Sequence, residues 1–255
     1  MFKDRNVVMI NGDEIRPFHP KAEEIAKIYP ELYNQITDQE TITWTTRLFE
    51  ELRQEGYNII FEGTMRNNRI ADESITQLRD ELGYTVVVRG LSVCGLESRI
   101  SILERYECQV KEKGYGRMVL PTQHHRTYVG MPNTIEYIES TGKYDVLEIF
   151  QRGKETHSPV LIYAVCNPRT EKEAVAKLEG RDYISLKTQK NGYNSGLQAI
   201  LNGREKNHAK VLPTCPERLK KIKKLLTIRK EQLINKLQTE TDKNERKSLE
   251  HMLVS

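Results

Sequence analysis

Two short polar segments of the sequence each place a carboxylate and an arginine directly after an apolar run. Asn11-Gly12-Asp13-Glu14-Ile15-Arg16 follows Val7–Ile10, and Glu62-Gly63-Thr64-Met65-Arg66 follows Asn58–Phe61. In a parallel sheet the ligand-binding loops lie together at the carboxyl ends of the strands, and a glycine there lets the backbone approach a ligand closely. The two segments together therefore predict one cleft for an anionic substrate, although an Asp after a strand is by itself more often a helix N-cap.

A second group of basic residues surrounds a glycine-containing stretch. Arg105 and Arg117 lie on either side of Gly114-Tyr115-Gly116, as expected of a mobile lid whose guanidinium groups stabilise charge on a transferring phosphoryl group. A surface salt-bridge network explains the same residues equally well. His124 and His125 are interpreted as structural, because adjacent helical residues point about 100° apart and make poor joint metal ligands.

These candidate residues need a scaffold, and the hydrophobic pattern predicts one. Short runs rich in β-branched residues alternate with helix-like stretches, which is typical of a three-layer α/β fold with a mostly parallel sheet. The predicted strands are Val7–Ile10, Asn58–Phe61, Thr85–Val88 and a hairpin of Tyr144–Arg152 with Pro159–Cys166 through Gly153–Ser158. The predicted helices are Thr43–Glu55, Asp72–Leu82 ending at Gly83, Leu96–Glu107 and a short one near Glu171–Leu178.

Composition and length exclude several classes of protein. With 255 residues, 37% hydrophobic and 30% charged, the chain is neither disordered nor rich enough in apolar runs to span a membrane. The N-terminus has no apolar secretory core, so we expect a cytoplasmic protein without a membrane partner. The four cysteines have no C-x-x-C spacing, and we expect core thiols: Cys94, Cys108, Cys166 and Cys215.

The basic excess of the chain lies at its C-terminal end. Residues 215–255 contain 11 Lys/Arg and 6 Asp/Glu, which leaves 29 against 30 in residues 1–214. Leu219, Ile222, Leu226, Leu233 and Leu237 recur at helical spacing, so we predict an amphipathic helix with a solvated lysine face. We divide the chain into a core over residues 1–213 and this helical tail over 214–255. Nucleic-acid binding by the tail is disfavoured, since the body is neutral and has no aromatic stacking motif.

The order of the motifs resembles the zeta toxin family. The resemblance covers roughly residues 5–152 and rests on Asn11–Arg16 with His19-Pro20, Gly56–Arg66, Arg105-Tyr106-Glu107, Arg117, His124-His125 and Ile149–Arg152. It implies a P-loop-kinase-like fold with a helical lid. It also implies transfer of the γ-phosphoryl group of ATP, with magnesium, to the 3′-hydroxyl of the sugar of UDP-N-acetylglucosamine. Family members belong to toxin-antitoxin modules, so an antitoxin protein is an implied partner beside the UDP-sugar.

The resemblance also implies catalytic roles for three residues. Asp13 matches the carboxylate that accepts the proton of the attacking hydroxyl, and Arg105 and Arg117 match lid arginines that hold phosphates. These residue types suit such roles, because a general base must lie beside the hydroxyl and positive charge must lie where phosphoryl charge develops.

Four further residues match substrate positions of the family. Glu62 and Thr64 match the motif where magnesium and the sugar meet, which makes Glu62 a candidate magnesium ligand, and Arg66 matches a substrate-contacting position. Thr46 stands where the family often has a substrate-site glutamate. A threonine there can donate a hydrogen bond, but it cannot act as a base.

One expected motif is not found in the 255 residues. P-loop kinases use G-x-x-x-x-G-K-[ST] to cradle phosphates, but Gly-Lys occurs only as Gly142-Lys143 and Gly153-Lys154, and neither pair precedes Ser or Thr. Because the resemblance begins at the family's second strand, we expect the first strand and P-loop to be missing, unpaired backbone in the sheet, and no activity from the chain as it stands. Two hypotheses stay open: a kinase with a longer N-terminus, and a non-catalytic remnant that binds sugar nucleotide or antitoxin.

Overall fold

The computed structural model describes residues 7–30, 32–152, 159–167 and 191–254. Its strands are β1 (Val8–Asn11), β2 (Ile59–Glu62), β3 (Val87–Ser92), β4 (Val146–Arg152) and β5 (Pro159–Cys166). Its helices are α1 (Gly12–Ile15), α2 (Ala22–Ile28), α3 (Tyr33–Gln54), α4 (Asn68–Thr76), α5 (Gly95–Lys113), α6 (Pro121–Thr141), α7 (Gly196–Val211), α8 (Cys215–Thr239) and α9 (Lys243–Val254). This alternation confirms the predicted α/β class.

The predicted strands are confirmed, with shifts at their ends. The last two pair as antiparallel β4 and β5, whereas their connection, Gly153–Ser158, and the predicted helix near Glu171–Leu178 lie outside the described residues. β3 begins later and ends later than the predicted Thr85–Val88. The described strands are divided between two sheets, one of β1 and β2 and the other in the order β3-β4-β5, in which β3 and β4 are parallel.

Helix α3 begins ten residues before the predicted start at Thr43. Its first half is rich in threonine, which has a low helix propensity because its hydroxyl competes for backbone groups. Here Thr37, Thr41 and Thr45 are buried, and each hydroxyl donates to the carbonyl four residues earlier at 2.5–2.7 Å. Burial of this threonine row extends the helix beyond the part that local pattern predicts.

The other helices agree with the sequence to different degrees. The predicted helix Asp72–Leu82 is α4 followed by a π-helical turn at Gln77–Glu81, and Gly83 ends it with φ +69°. The predicted helical tail contains α8 and α9. Four helices were not predicted: α1, α2, α6 and α7. No helix in the described ranges is both long and apolar enough to cross a bilayer.

The chain forms two compact units, each built from three stretches. Unit 1 comprises residues 1–10, 47–95 and 125–209, and unit 2 comprises residues 11–46, 96–124 and 210–255. The division of the chain at residues 213 and 214 stays a prediction.

Unit 1 has its core around β4. Val146, Leu147, Glu148 and Ile149 are nearly inaccessible to solvent. The aliphatic and aromatic residues that pack in this core include Ile75, Val86, Val88, Ile135, Ile138, Tyr144, Ile162, Tyr163, Tyr193, Ala199 and Ile200. At its margin Asp145 accepts the backbone N–H of Val86 at 2.6 Å and pairs with Arg79 at 3.2 Å, so a buried carboxylate is satisfied.

Unit 2 is helical and has two smaller apolar clusters. One joins α2 to the start of α3 through Ala22, Ile25, Ala26 and Tyr33. The other joins α5 to α8 through Ile100, Cys215 and Ile222. All four cysteines are free thiols. Cys94, Cys166 and Cys215 are buried, which agrees with the predicted core role, whereas Cys108 is only half-buried.

Candidate functional site

The candidate base, Asp13, lies in a tight turn at the end of β1. Asn11 has an extended backbone, and its side chain accepts the backbone N–H of Asp13 at 2.8 Å, which caps the short helix α1. At Gly12 an added Cβ would stand 3.5 Å from Cγ2 of Thr41, so the turn lies directly on α3. The side chain of Asp13 remains partly exposed. The turn therefore presents a carboxylate to solvent from a backbone that is held firmly.

Arg16 fastens this turn to α3, whereas the sequence predicts it only as the arginine that follows Asp13 in an anionic-substrate site. Its guanidinium is buried and donates to the Asn34 carbonyl at 3.1 Å, to Oγ1 of Thr37 at 2.6 Å and to Asp38 at 2.8 Å. A single planar group with several fixed donors suits this task. The signal in the sequence is weak: Arg16 follows Asp13 by about one helical turn, but its acceptors lie 18 to 22 residues further on.

The structure brings Asp13 and Arg117 together. The guanidinium of Arg117 forms an ion pair and hydrogen bond with Asp13, and its backbone N–H donates to the Gln109 side chain at 3.0 Å. Arg117 lies between α5 and α6, after the turn at Gly114, which has φ +79°. Two of the predicted catalytic residues therefore contact each other within unit 2.

Positive charge exceeds negative charge around Arg117. Burial lowers the pKa of Arg117 from its usual value, Asp13 opposes this effect, and the charges of Arg105 and Arg16 lower it further. An arginine remains protonated at neutral pH in spite of such a shift. Arg105 is exposed on α5, so it adds charge to the group from its surface. Three guanidinium groups lie near two carboxylates, Asp13 and the Asp38 that pairs with Arg16, and this excess of positive charge favours an anionic ligand.

Glu62, Thr64 and Arg66 belong to unit 1. Glu62 is the last residue of β2, all three are exposed, and Met65 between them has φ +48°. The segment lies close against α6, since a Cβ on Gly130 would stand 2.7 Å from the carbonyl oxygen of Arg66. That these residues share a cleft with Asp13 stays a prediction.

Thr46 belongs to unit 2 and is exposed on α3, one residue after the buried Thr45.

Glu62 and the adjacent histidines are the residues considered above as metal ligands. Within the described ranges, no three His, Cys, Asp or Glu side chains come together in a way that could hold a metal. His124 instead makes a 2.9 Å hydrogen bond with Ser98, as expected of a structural histidine.

Comparison with known proteins gives a consistent result for the first part of the chain. A family model described as Zeta toxin matches residues 1–158. Toxin zeta of Streptococcus pyogenes is 25% identical over 180 residues, which cover 69% of this chain and 62% of the relative. Toxin PezT of Streptococcus pneumoniae is 26% identical over 147 residues, covering 58% and 56%. The chain thus spans less than two thirds of the length of these curated relatives.

A solved structure gives the corresponding result for the fold. It comes from the molecular and structural characterization of the PezAT chromosomal toxin-antitoxin system of the human pathogen Streptococcus pneumoniae. The match has a TM-score of 0.57 and 20% identity, and it covers 85% of this chain and 76% of the other. The similarity confirms the predicted P-loop-kinase-like α/β class.

Proposed function

Because this chain belongs to the zeta toxin family, we propose that it has the site of a toxin kinase that phosphorylates the 3′-hydroxyl of the sugar of UDP-N-acetylglucosamine. The observation that supports this proposal most directly is the pairing of Asp13 with Arg117 beside the charges of Arg105 and Arg16. The resemblance assigns to Asp13 the role of base and to Arg105 and Arg117 that of phosphate ligands. A base and a surplus of guanidinium groups are what transfer of a phosphoryl group to a hydroxyl requires.

The ion pair suggests how binding prepares the base. An anionic group of the ligand that reaches Arg117 competes with Asp13 for the same guanidinium. Charge-assisted contacts to phosphate are strong and often bidentate, so the ligand replaces Asp13 as the partner of Arg117. The released carboxylate then accepts a hydrogen bond from the sugar hydroxyl and takes its proton as the oxygen attacks.

The proposed substrate contacts come from the segment after β2. Thr64 would donate a hydrogen bond to the sugar nucleotide, and Arg66 would contribute positive charge to its diphosphate. Thr46 would donate a further hydrogen bond, without the charge that the family often places there. Arg16 fixes the turn of Asp13 and so keeps the base in one position.

Magnesium and ATP are the cofactors that the family implies. Magnesium neutralises phosphate charge when it is bound, and the exposed Glu62 at the end of β2 would hold it. One carboxylate fits this ion, which commonly uses one or two carboxylates together with substrate phosphates. ATP fits less well, because the 255 residues contain no G-x-x-x-x-G-K-[ST] segment, and we assign none of these residues to its β-phosphate.

A second candidate function stays open beside the kinase. In this alternative the chain binds the UDP-sugar, or an antitoxin protein, without transferring a phosphoryl group. One lost electrostatic contact in a catalytic site typically costs a factor of about 10²–10³ in rate. Losing the cradling amides, the lysine and the metal-binding hydroxyl together would therefore abolish turnover by these residues alone.

Calorimetric titration with UDP-N-acetylglucosamine tests the shared part of both candidates. We expect the 255-residue chain to bind, Arg117→Ala to bind at least about tenfold more weakly, and Asp13→Asn to retain its affinity. Arg246→Ala is the matched control, because Arg246 is an exposed arginine on α9 that pairs with Glu250 one helical turn away. Equal binding by Arg117→Ala and Arg246→Ala would reject the proposed site.

Phosphoryl transfer separates the two candidates. With ATP, magnesium and the UDP-sugar, we expect no phosphorylated product from the 255-residue chain by mass spectrometry. A longer chain that also provides a phosphate-binding loop should form product, and Asp13→Asn should abolish it. Turnover that survives Asp13→Asn would overturn the assignment of the base.

A further inference from the structure

The C-terminal helix α8 contacts the residues that flank Arg105 on α5. Glu104 accepts hydrogen bonds from Arg218 at 2.9 Å and from Lys221 at 2.8 Å. On the other side of Arg105, Tyr106 and Glu107 are buried. Both lie against Arg229 of α8. Helix α8, which lies beyond the residues matched by the family model, therefore packs along the segment that bears Arg105, a candidate phosphate ligand.

Arg229 makes three kinds of contact with this segment. It donates a hydrogen bond to the Tyr106 hydroxyl at 3.0 Å, its guanidinium lies 5.3 Å from the centre of the Tyr106 ring, and it pairs with Glu107 at 3.5 Å. Its side chain is 19% exposed. A guanidinium that lies near an aromatic ring and also donates to the hydroxyl of that ring restricts both side chains.

Tyr106 in turn supports the turn that leads to Arg117. A Cβ on Gly116 would stand 2.9 Å from the Tyr106 carbonyl oxygen and 3.0 Å from Cδ2 of its ring. Glycine is therefore required for this close contact. The next residue is Arg117, whose backbone N–H is held by Gln109 and whose guanidinium reaches Asp13.

We propose that Arg229 is a positioning residue, which fixes Tyr106 so that the Gly116–Arg117 backbone holds the Arg117 guanidinium against Asp13. α8 then belongs to the functional site, although it contributes no group to the ligand. The importance of Arg229 for ligand binding rests on the proposed function, whereas the coupling between Arg229 and Arg117 is a property of the folded chain alone.

The coupling is measured on the side-chain Nε–H signal of Arg117 by NMR of ¹⁵N-arginine-labelled protein, assigned by its loss in Arg117→Lys. Arg229→Ala should shift this signal and increase its hydrogen-exchange rate at least about tenfold, because the guanidinium is no longer held in one place. Lys230→Ala is the control, since it removes one positive charge from the adjacent, exposed position of α8. Arg229→Lys should give a smaller change, because lysine keeps the positive charge but not the planar guanidinium.

A folded Arg229→Ala with an unchanged Arg117 signal would overturn the proposal. If Arg229→Ala does not fold, Tyr106→Phe decides the matter: it removes the hydroxyl that accepts the Arg229 hydrogen bond, and the Arg117 signal must still shift. Titration with UDP-N-acetylglucosamine keeps the two ideas separate. Failure of the unaltered chain to bind rejects the proposed function, while the NMR comparison still decides the role of Arg229.

Discussion

Replacing Arg16 by alanine should loosen the turn that presents Asp13. The guanidinium is the link between that turn and α3, through Thr37, the Asn34 carbonyl and Asp38. Alanine leaves Oγ1 of Thr37 with its own donation to the Tyr33 carbonyl. It removes every hydrogen bond that Arg16 makes across to the helix.

The expected loss of stability follows from these contacts. Hydrogen bonds from a charged donor contribute about 1.5–3 kcal/mol each, and the two from Arg16 to the uncharged acceptors in α3 are the main ones. The ion pair to Asp38 adds about 0.5 kcal/mol, because that carboxylate is 39% exposed and screened by water. Releasing the buried arginine from its desolvated site offsets part of this sum. We expect a net loss of about 2 kcal/mol, or about 4–8 °C in Tm for a chain of this size.

Thermal unfolding followed by circular dichroism at 222 nm measures this change. Arg47→Ala is the matched control, because Arg47 lies on the same helix with an 80% exposed side chain and pairs with the exposed Glu51 one turn away. The Tm of this variant should equal that of the unaltered chain. Arg16→Ala with the same Tm as Arg47→Ala would show that Arg16 does not fasten the turn. The calorimetric titration with the UDP-sugar should then also show no loss of affinity.

Three further variants test other contacts, each by urea unfolding. Burial raises the pKa of Glu107 and Arg229 opposes this rise, so ionised Glu107 costs stability as pH increases above the unfolded pKa of about 4.3. Arg229→Ala should therefore lose about 2 kcal/mol at pH 8 and clearly less at pH 4, and an equal loss at both would contradict this. Gly116→Ala should lose about 1–3 kcal/mol, because its Cβ would meet the Tyr106 backbone at 2.9 Å; wild-type stability would refute that contact. Arg79→Ala should lose about 3 kcal/mol by breaking the buried ion pair of unit 1, and a loss below 1 kcal/mol would mean that water replaces it.

The local pattern of apolar residues in the sequence was sufficient to predict most of the helices and strands. β5 and α8 follow from apolar runs and helical spacing, because their burial repeats with the period of the element itself. Lys220, Lys221, Lys223 and Lys224 are exposed on α8, as predicted. The early start of α3 could not be predicted in this way, because its buried face carries threonines instead of apolar residues. Their hydroxyls donate to backbone carbonyls of the preceding turn.

Only the residues of the candidate site that lie in recognisable sequence motifs were predicted. Asp13 and Arg117 were identified from their segments, and their ion pair brings them together. The contacts of Arg16 with α3 and those of Arg229 with α5 were not predicted, because the acceptors lie 18 to 22 residues and 123 residues away in the chain. Contacts at such separation leave no periodic signal in one sequence, so only the folded chain reveals them.

The contacts between α5 and α8 have a consequence for the order of events during synthesis. They join residues 114 to 123 positions apart, and α8 belongs to the last of the three stretches that form unit 2. A ribosome adds about 5–20 residues per second, so α8 is synthesised several seconds after the segment that contains Arg105 and Tyr106. During this interval Glu107 has no Arg229 beside it and Ile100 has no Ile222 to cover it. Unit 2 is therefore completed only after α8 has been synthesised, and nascent chains that stop before α8 should be targets for chaperones and proteases.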